Sequence, residues 1–408
     1  LKEPNARYIC AAFEKMKESD PSLNFNDTEI AFRYKDDKEM RRALFIFSVV
    51  NHPWISALGT SLVRLAIFLK LPVTAILRNT VFRHFCGGET IDESRTLISK
   101  LGAFQVQTIL DYAVEGEKSE RGFDTTCSEV LKTFDEAVLS KNVPFCVFKV
   151  TGMADMTLLE KIQAGATLTE DESNAYARVN SRIRTICEKS AQTGIPVMID
   201  AEETWIQDPI DALALAMMKE FNRTKALVYF TCQMYRRDMP ERLKRSMETA
   251  KQEGFILGVK MVRGAYMEKE RERATTKGYP DPIWPDKTST DKAFNDGLRF
   301  CVENSGHIRL VCGSHNEESN RLLADLMTSK AESVNGVWFS QLLGMSDHIS
   351  FNLAKSGYQV VKYVPFGPVL SVVPYLLRRA EENTSVAGQS SRELLLIRKE
   401  VNRRKRSS

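Results

Sequence analysis

The sequence predicts an α/β protein built on a (βα)8 barrel with an N-terminal helical extension, and three observations lead there. Short runs rich in Val, Ile, Phe and Leu recur along most of the chain. These runs are continuous rather than alternating, which is how strands buried on both faces of an all-parallel sheet read. Longer segments with helical periodicity separate them, and the alternation repeats about eight times, which favours a closed barrel over a doubly wound sheet.

Taken in order, residues 1–80 read as helices, with apolar residues at three- and four-residue spacing and a start signal at Asn26–Asp27 followed by Glu29. The barrel is expected over 81–390, and 391–408 forms a basic C-terminal tail. The candidate strands are Phe82–Cys86, Phe145–Val150, Pro196–Asp200, Ala226–Cys232, Phe255–Val262, His307–Gly313, Val337–Gln341 and Gln359–Tyr363. Arg242–Gly254 and Glu318–Ser329 are examples of the helices between them. The long connection from Thr151 to Ile195 needs helices of its own, and Leu158–Ile162 and Asp171–Ala191 supply the pattern. The most apolar stretch, Trp54–Leu69, is short for a membrane span and carries Arg64. It reads as a packed amphipathic helix, with a surface-lying helix as the alternative. The tail from Arg398 to Arg406 reads as solvated and frayed, or as a contact for an anionic membrane.

The 408 residues, 43% hydrophobic and 27% charged, suit a folded chain with a sizeable core. A net charge of +4 gives no footprint of nucleic-acid binding. Eight cysteines lie scattered with no CxxC pair, so they read as reduced core thiols. The chain opens on Leu1 rather than Met, which reads as a trimmed start that would hide any leader. There is no dinucleotide-binding glycine fingerprint, no P-loop and no HExxH. The five histidines are too dispersed to suggest a metal.

In such a barrel the reacting groups sit where strands end. The expected strands end in Lys149, in Asp200-Ala-Glu-Glu, at Gln233, in Lys260-Met-Val-Arg-Gly-Ala-Tyr266, in Ser314-His315-Asn316 and at Tyr363. A lone rim lysine or histidine is ordinary. Polar groups ending most strands on one rim point to a site. Beyond the last strand, Tyr375, Arg378, Arg379 and Glu382 share one helical neighbourhood, and paired arginines suit bidentate capture of a carboxylate or phosphate.

These residues together resemble the proline dehydrogenase family. GVKMVRGAYMEKERERA (Gly258–Ala274) is similar to the family's strand-five signature, and YVPFGPVLSVVPYLLRRAEEN (Tyr363–Asn383) to its closing helix. GGET (Gly87–Thr90), DAEET (Asp200–Thr204), SHN (Ser314–Asn316) and QLLGM (Gln341–Met345) fall in family order. The resemblance covers Phe82 to Asn383 and implies a distorted (βα)8 barrel holding FAD. It further implies oxidation of L-proline to Δ1-pyrroline-5-carboxylate, with electrons passed to a ubiquinone-type membrane acceptor. Peripheral attachment to an inner membrane follows, on the matrix side in a mitochondrion or the cytoplasmic face in a bacterium.

By the same resemblance, Arg378, Arg379 and Lys149 clamp the substrate carboxylate, while Tyr266, Leu342 and Tyr375 wall its ring. Asp200 and Tyr363 complete the pocket, Glu382 orients a guanidinium, and Glu89 pairs with Arg378 as a gate. The cofactor contacts would be Asp200, Gln233, Lys260, Val262, Arg263, Gly264, Ala265, Ser314, His315, Asn316, Gln341, Arg379 and Ser385. The chain departs from many bacterial relatives in having Lys260 for Arg and Met267 for Trp. The register at Ser340 and Gln341 is also ambiguous, because many relatives carry Gln one position earlier. Hydroxyproline-preferring members tend to place Ser at the Tyr363 position, so Tyr363 favours proline over trans-4-hydroxy-L-proline. Two other classes compete: a Schiff-base aldolase or lyase using Lys149, and an inactive barrel serving as a binding module.

Overall fold

The computed structural model describes residues 23–51, 61, 69, 73–114, 117–329, 336–385 and 389–407, leaving out the side chains of 50, 380–390 and 407. Eight parallel strands close in chain order: β1 (Val106–Tyr112), β2 (Phe145–Lys149), β3 (Val197–Asp200), β4 (Val228–Gln233), β5 (Leu257–Val262), β6 (Ile308–Gly313), β7 (Trp338–Leu342) and β8 (Val360–Phe366). The seam between β1 and β8 is fully zipped, from Val106 opposite Val360 to Tyr112 opposite Phe366. Closure leaves no strand edge exposed.

Strand alternation sorts each run into two sets. Val106, Leu110, Phe148, Ile199, Val259 and Val364 face the surrounding helices and join the main core. Ile109, Val147, Met198, Val311, Val361 and Tyr363 turn into the barrel. Phe145 stacks edge-on against Tyr229 and Trp338, with ring centroids at 5.7 and 5.2 Å, and these rings plug the end where the strands begin. Gly258 makes room there. A Cβ at that position would lie 2.3 Å from the Val228 carbonyl oxygen and 2.9 Å from the Tyr229 ring. Among the described residues, this end of the barrel is therefore filled by side chains.

From Phe145 onward every expected strand lies on an observed one. The first expectation is corrected: Phe82–Cys86 is not a strand. Arg78–Phe82 forms a wide π-type turn that continues into the helical turn Arg83–Phe85. Phe82 and Phe85, three residues apart, share one helix face and pack with Val372 and Leu376 of the closing helix Val369–Ser385. The true β1 comes after the helix Ile91–Gly102, which Thr90 caps at its N-terminus. The long β2–β3 connection contains the helices Met156–Gln163 and Glu170–Thr193, close to where the sequence placed them.

The C-terminal residues do not fray. Gln389–Ser407 is a helix whose Leu394, Leu396 and Ile397 pack with Phe32, Met40 and Phe47 from the helices Thr28–Phe32 and Asp37–Val50. Arg404 donates to the carbonyl oxygens of Phe32 and Lys35, and the buried Glu400 accepts from Arg403 and Arg404. Arg403 and Arg404 thus help tie this helix to the described N-terminal segment, while Arg398, Lys399, Lys405 and Arg406 stay exposed. The greater part of Trp54–Leu69 lies outside the described residues. Among those described, no helix is long and apolar enough to cross a membrane. The described cysteines are all unpaired and buried.

Candidate active site

Period-two alternation in strands of matched register brings one polar residue from each of six strands into the barrel at the rim where the strands end. Asp111 comes from β1, Lys149 from β2, Asp200 from β3, Gln233 from β4, Lys260 from β5 and Tyr363 from β8. Lys260 Nζ donates to Asp200 Oδ1 at 2.5 Å and to Tyr363 Oη at 2.7 Å, and it lies 4.5 Å from the Tyr363 ring centroid. Lys149 Nζ lies between Asp111 Oδ2 at 3.5 Å and Asp200 Oδ2 at 3.7 Å. Two ammonium groups thus interleave with two carboxylates, and pairing of this kind is what allows charges to be enclosed. Burial pushes the Lys260 ammonium below its ordinary range while Asp200 holds it up. Burial also pushes the Tyr363 phenol well above its own.

Asp111 was missed in the sequence because its strand was misplaced. The signal was there, an Asp within the apolar TILDY, but only the correct β1 puts it at a strand end.

The DAEET motif ties neighbouring strand ends together. Asp200 faces Lys260 and Lys149 inside the barrel. Glu202 accepts both the backbone N–H and the hydroxyl of Thr151, just past Lys149, and burial pushes its carboxyl up to about 7. The Glu202 carbonyl oxygen accepts Gln233 Nε2 at 2.9 Å. Glu203 pairs with Lys269 at 3.1 Å, and Thr204 donates its N–H and hydroxyl to the enclosed Glu270. Once its amide nitrogen is fixed, Gln233 Oε1 is buried with no hydrogen-bond partner among the described residues.

The remaining expected cofactor positions gather after β5 and β6. Arg263 is held by Asp291 at 2.7 Å, Ser314 Oγ at 2.8 Å and Ser319 Oγ at 2.9 Å, and its guanidinium lies 4.3 Å from the Phe294 ring. Gly264 has φ of +138°, a conformation open to glycine, and the next residue, Ala265, is exposed. Val262, the last residue of β5, is half-buried. Asn316 Oδ1 accepts the Ser319 N–H at the start of the helix Glu317–Ser329. His315 Nδ1 lies 2.9 Å from Ser346 Oγ, and burial holds the imidazole down to about 3, so it is neutral. Gln341 does not join this group. It faces away from the barrel, donating to the Ser314 carbonyl oxygen and accepting from Ser350, while its neighbours Ser340 and Leu342 alternate to the inner face.

The closing helix begins directly after β8. Arg379 is buried, with its guanidinium 5.1 Å from the Tyr375 ring, and Arg378 is half-buried beside it. Tyr375 and Leu342 meet in one apolar cluster. Tyr266 is buried just ahead of the helix Met267–Lys277. Glu89 accepts the Val369 N–H at the start of the closing helix and pairs with Arg78 at 3.3 Å. The side chains of Glu382 and Ser385 lie outside the described residues. No cluster of His, Cys, Asp and Glu that could hold a metal occurs among the described residues.

Residues 95–392 match the family model described as proline dehydrogenase. The chain belongs to the proline dehydrogenase family. Among its relatives, mitochondrial proline dehydrogenase 1 of Dictyostelium discoideum is 30% identical, over 96% of this chain and 78% of its own. Hydroxyproline dehydrogenase of Xenopus laevis is also 30% identical, over 94% of this chain and 90% of its own. The carbapenem antibiotics biosynthesis protein CarD of Pectobacterium carotovorum is 34% identical, over 78% of this chain and 83% of its own. The proline utilization A structure from Bdellovibrio bacteriovorus superposes with a TM-score of 0.69 at 20% identity. That match covers 95% of this chain but 42% of the other, so the chain spans under half of that larger protein and shares its barrel fold. In this family member the rim residues from Lys149 to Arg379 therefore form the candidate active site.

Proposed function

We propose that this protein oxidises L-proline to Δ1-pyrroline-5-carboxylate with FAD as its cofactor and a ubiquinone-type membrane quinone as the electron acceptor. The observation that carries this reading is the enclosed Lys260–Asp200–Tyr363 triad beneath a rim that bears the buried Arg379. The residues fit a flavin on two counts. Gln233 presents a buried carbonyl oxygen that needs a donor, and an amide N–H of a flavin ring is a donor of that kind. The positive φ of Gly264, whose Cβ position is filled by the Tyr235 ring, turns the loop so that Ala265 lies exposed for close approach. Gln233, Lys260, Arg263, Gly264, Ala265, His315 and Asn316 would hold the cofactor, with Asp200, Val262, Ser314, Arg379 and Ser385 beside them.

Bound FAD supplies the acceptor for the hydride that leaves the ring carbon next to nitrogen. The chain's own part is orientation. Arg378, Arg379 and Lys149 hold the substrate carboxylate, which fixes the ring over the Lys260–Asp200–Tyr363 floor. Orientation of this kind supplies about 7–11 kcal/mol of a barrier in favourable cases. Tyr266, Leu342 and Tyr375 wall the ring and exclude water, and the Glu89 contact with the first turn of the closing helix suits a gate. Lys149 stands in ion-pairing range of Asp111 and Asp200, which suits an anchor for an anion rather than a neutral Schiff-base nucleophile.

Peripheral contact with the inner membrane belongs to the same reading, on the matrix side in a mitochondrion, and the relatives named as mitochondrial support a mitochondrial placement. The exposed Phe45 and Ile76 on the N-terminal helical segments and Leu370 on the closing helix are candidate contacts. In a liposome flotation assay the protein should rise with the vesicles; protein left in the soluble fraction would defeat this part of the reading.

Hydroxyproline is the second reading, supported by the Xenopus relative that spans most of this chain. Against it, the Tyr363 hydroxyl is held inside the barrel by Lys260, where it takes the room an added substrate hydroxyl would need. The test is a visible spectrum of the purified protein before and after anaerobic addition of substrate. Flavin bands that bleach with L-proline support the proposal, and bands that bleach only with trans-4-hydroxy-L-proline move the substrate. A chain that stays colourless after incubation with FAD overturns the cofactor.

A further inference from the structure

A hydrogen-bond chain runs under the expected cofactor loops and starts on the C-terminal helix. Glu393, buried on the inner face of that helix, accepts the Ser346 backbone N–H on Oε1 at 2.6 Å. Ser346 is fully buried, with φ of +52° and ψ of +40°, a left-handed conformation that a residue other than glycine keeps only when its surroundings hold it. Its Oγ lies 2.9 Å from His315 Nδ1. The other ring nitrogen, Nε2, lies 3.5 Å from the Leu342 backbone N–H. A backbone N–H can only donate, so Nε2 is the acceptor, Nδ1 carries the proton, and Ser346 Oγ receives it. Burial, reinforced by the nearby cations Lys362 and Arg379, holds this imidazole neutral and so keeps one tautomer.

The next residue, Asp347, anchors the same turn from outside the barrel. It pairs with Lys35 at 2.6 Å and Lys362 at 2.9 Å. The turn that bears Ser346 is thus fixed from three directions: the N-terminal helices, β8 and the C-terminal helix. Glu393 is the member of this set that touches the backbone of Ser346 itself. It lies just beyond residue 392, where the match to the family ends, in a segment that the sequence reads as a tail.

We propose that Glu393 is a positioning residue for the cofactor site, holding Ser346 in its left-handed turn so that His315 presents a fixed ring orientation and tautomer to the flavin. The inference rests on the flavin reading above. The C-terminal helix then does more than join the chain's ends, because through Glu393 it sets how tightly the cofactor is held.

The test uses the full-length protein and measures FAD dissociation by the rise in flavin fluorescence, alongside the visible flavin spectrum and the melting temperature. Glu393→Ala should weaken FAD binding by about tenfold or more and shift the flavin bands, as expected when a buried hydrogen bond of about 1.4 kcal/mol is lost. Glu393→Gln, whose amide oxygen can still accept the Ser346 N–H, should restore both. Ser346→Ala keeps the backbone contact and removes only the link to His315, so it should weaken FAD binding even if Glu393→Ala fails to fold. Glu400→Ala is the control. It removes another buried carboxylate of the same helix, one with no link to His315, and should lower the melting temperature without changing the flavin spectrum. If Glu393→Ala holds FAD no less tightly than Glu400→Ala, or if Ser346→Ala binds FAD like the wild type, the inference is overturned. A wild-type chain that binds no FAD overturns the flavin reading itself, which distinguishes the two failures.

Discussion

Lys260 is enclosed, yet it stays close to a carboxylate, a phenol and an aromatic face. Removing one member of a buried pair leaves the other charge uncompensated, which costs about 3–5 kcal/mol. Lys260→Met should therefore destabilise the protein toward the lower end of that range, because Lys149 still faces Asp200 from 3.7 Å. Chemical denaturation measures it, and a loss under about 1 kcal/mol would mean the pair is solvated rather than enclosed. Arg379 acts on substrate instead. Arg379→Met should raise the KM for proline by about tenfold to a hundredfold through loss of a bidentate carboxylate contact. Steady-state kinetics with an unchanged KM would remove Arg379 from the clamp. Tyr363→Ser takes away a ring and a partner of Lys260, so relative kcat/KM should shift toward hydroxyproline. An unshifted ratio would place specificity elsewhere on the rim.

At the scale of the element, the loop after β5 gives the sharpest expectation. Gly264 has φ of +138°, and a Cβ there would lie 2.4 Å from the Tyr235 ring, so both backbone and space forbid a side chain. Gly264→Ala should yield folded protein with much reduced flavin content, measured as the ratio of visible to protein absorbance; full flavin content would show that the loop can shift. This loop was readable in the sequence because its residues are contiguous and follow a run of clear strand character. Asp111 was not, because FRHFC (Phe82–Cys86) resembles a short aromatic-rich strand while the three-residue spacing of its two phenylalanines serves a helix face. A shift in one strand's assignment moves every residue that depends on its end. Gln341 shows the same sensitivity at finer grain. A one-residue difference in register decides whether a side chain faces the barrel or the helices, and composition alone cannot set it. The C-terminal helix was hidden for a different reason. Its apolar run Leu394–Ile397 is visible in the sequence, but the partners that bury Leu394, Leu396 and Ile397 lie more than 300 positions away, so nothing local shows what covers them.

For the whole molecule, buried ionisable groups set how stability responds to acid, and two sets oppose each other. Burial holds His84 and His315 down to about 3, so the folded state binds fewer protons than the unfolded state below the ordinary imidazole value of about 6.5. Their contribution is present above about 6.5 and is lost as pH falls toward 3. Burial pushes Glu202 and Glu393 up to about 7 and Asp211 up to about 6, so the folded state binds more protons than the unfolded state in their range. Their unfavourable burial is relieved as pH falls from about 7 toward the ordinary carboxylate values near 4. Between about pH 6.5 and 4.5 the two trends offset one another. Below that the acids have already taken up their protons while the histidines have not. Glu317, held down to about 2 by His348 and Arg392 despite burial, then begins to lose its stabilising charge as well. Stability against denaturant should therefore be nearly flat from pH 6.5 to 4.5 and fall steeply below it. The double variant Glu202→Gln, Glu393→Gln removes most of the compensating set, so its stability should already decline from pH 6.5. If wild type and double variant decline in parallel over that range, the buried acids do not offset the histidines, and the acid limb must arise from surface charge.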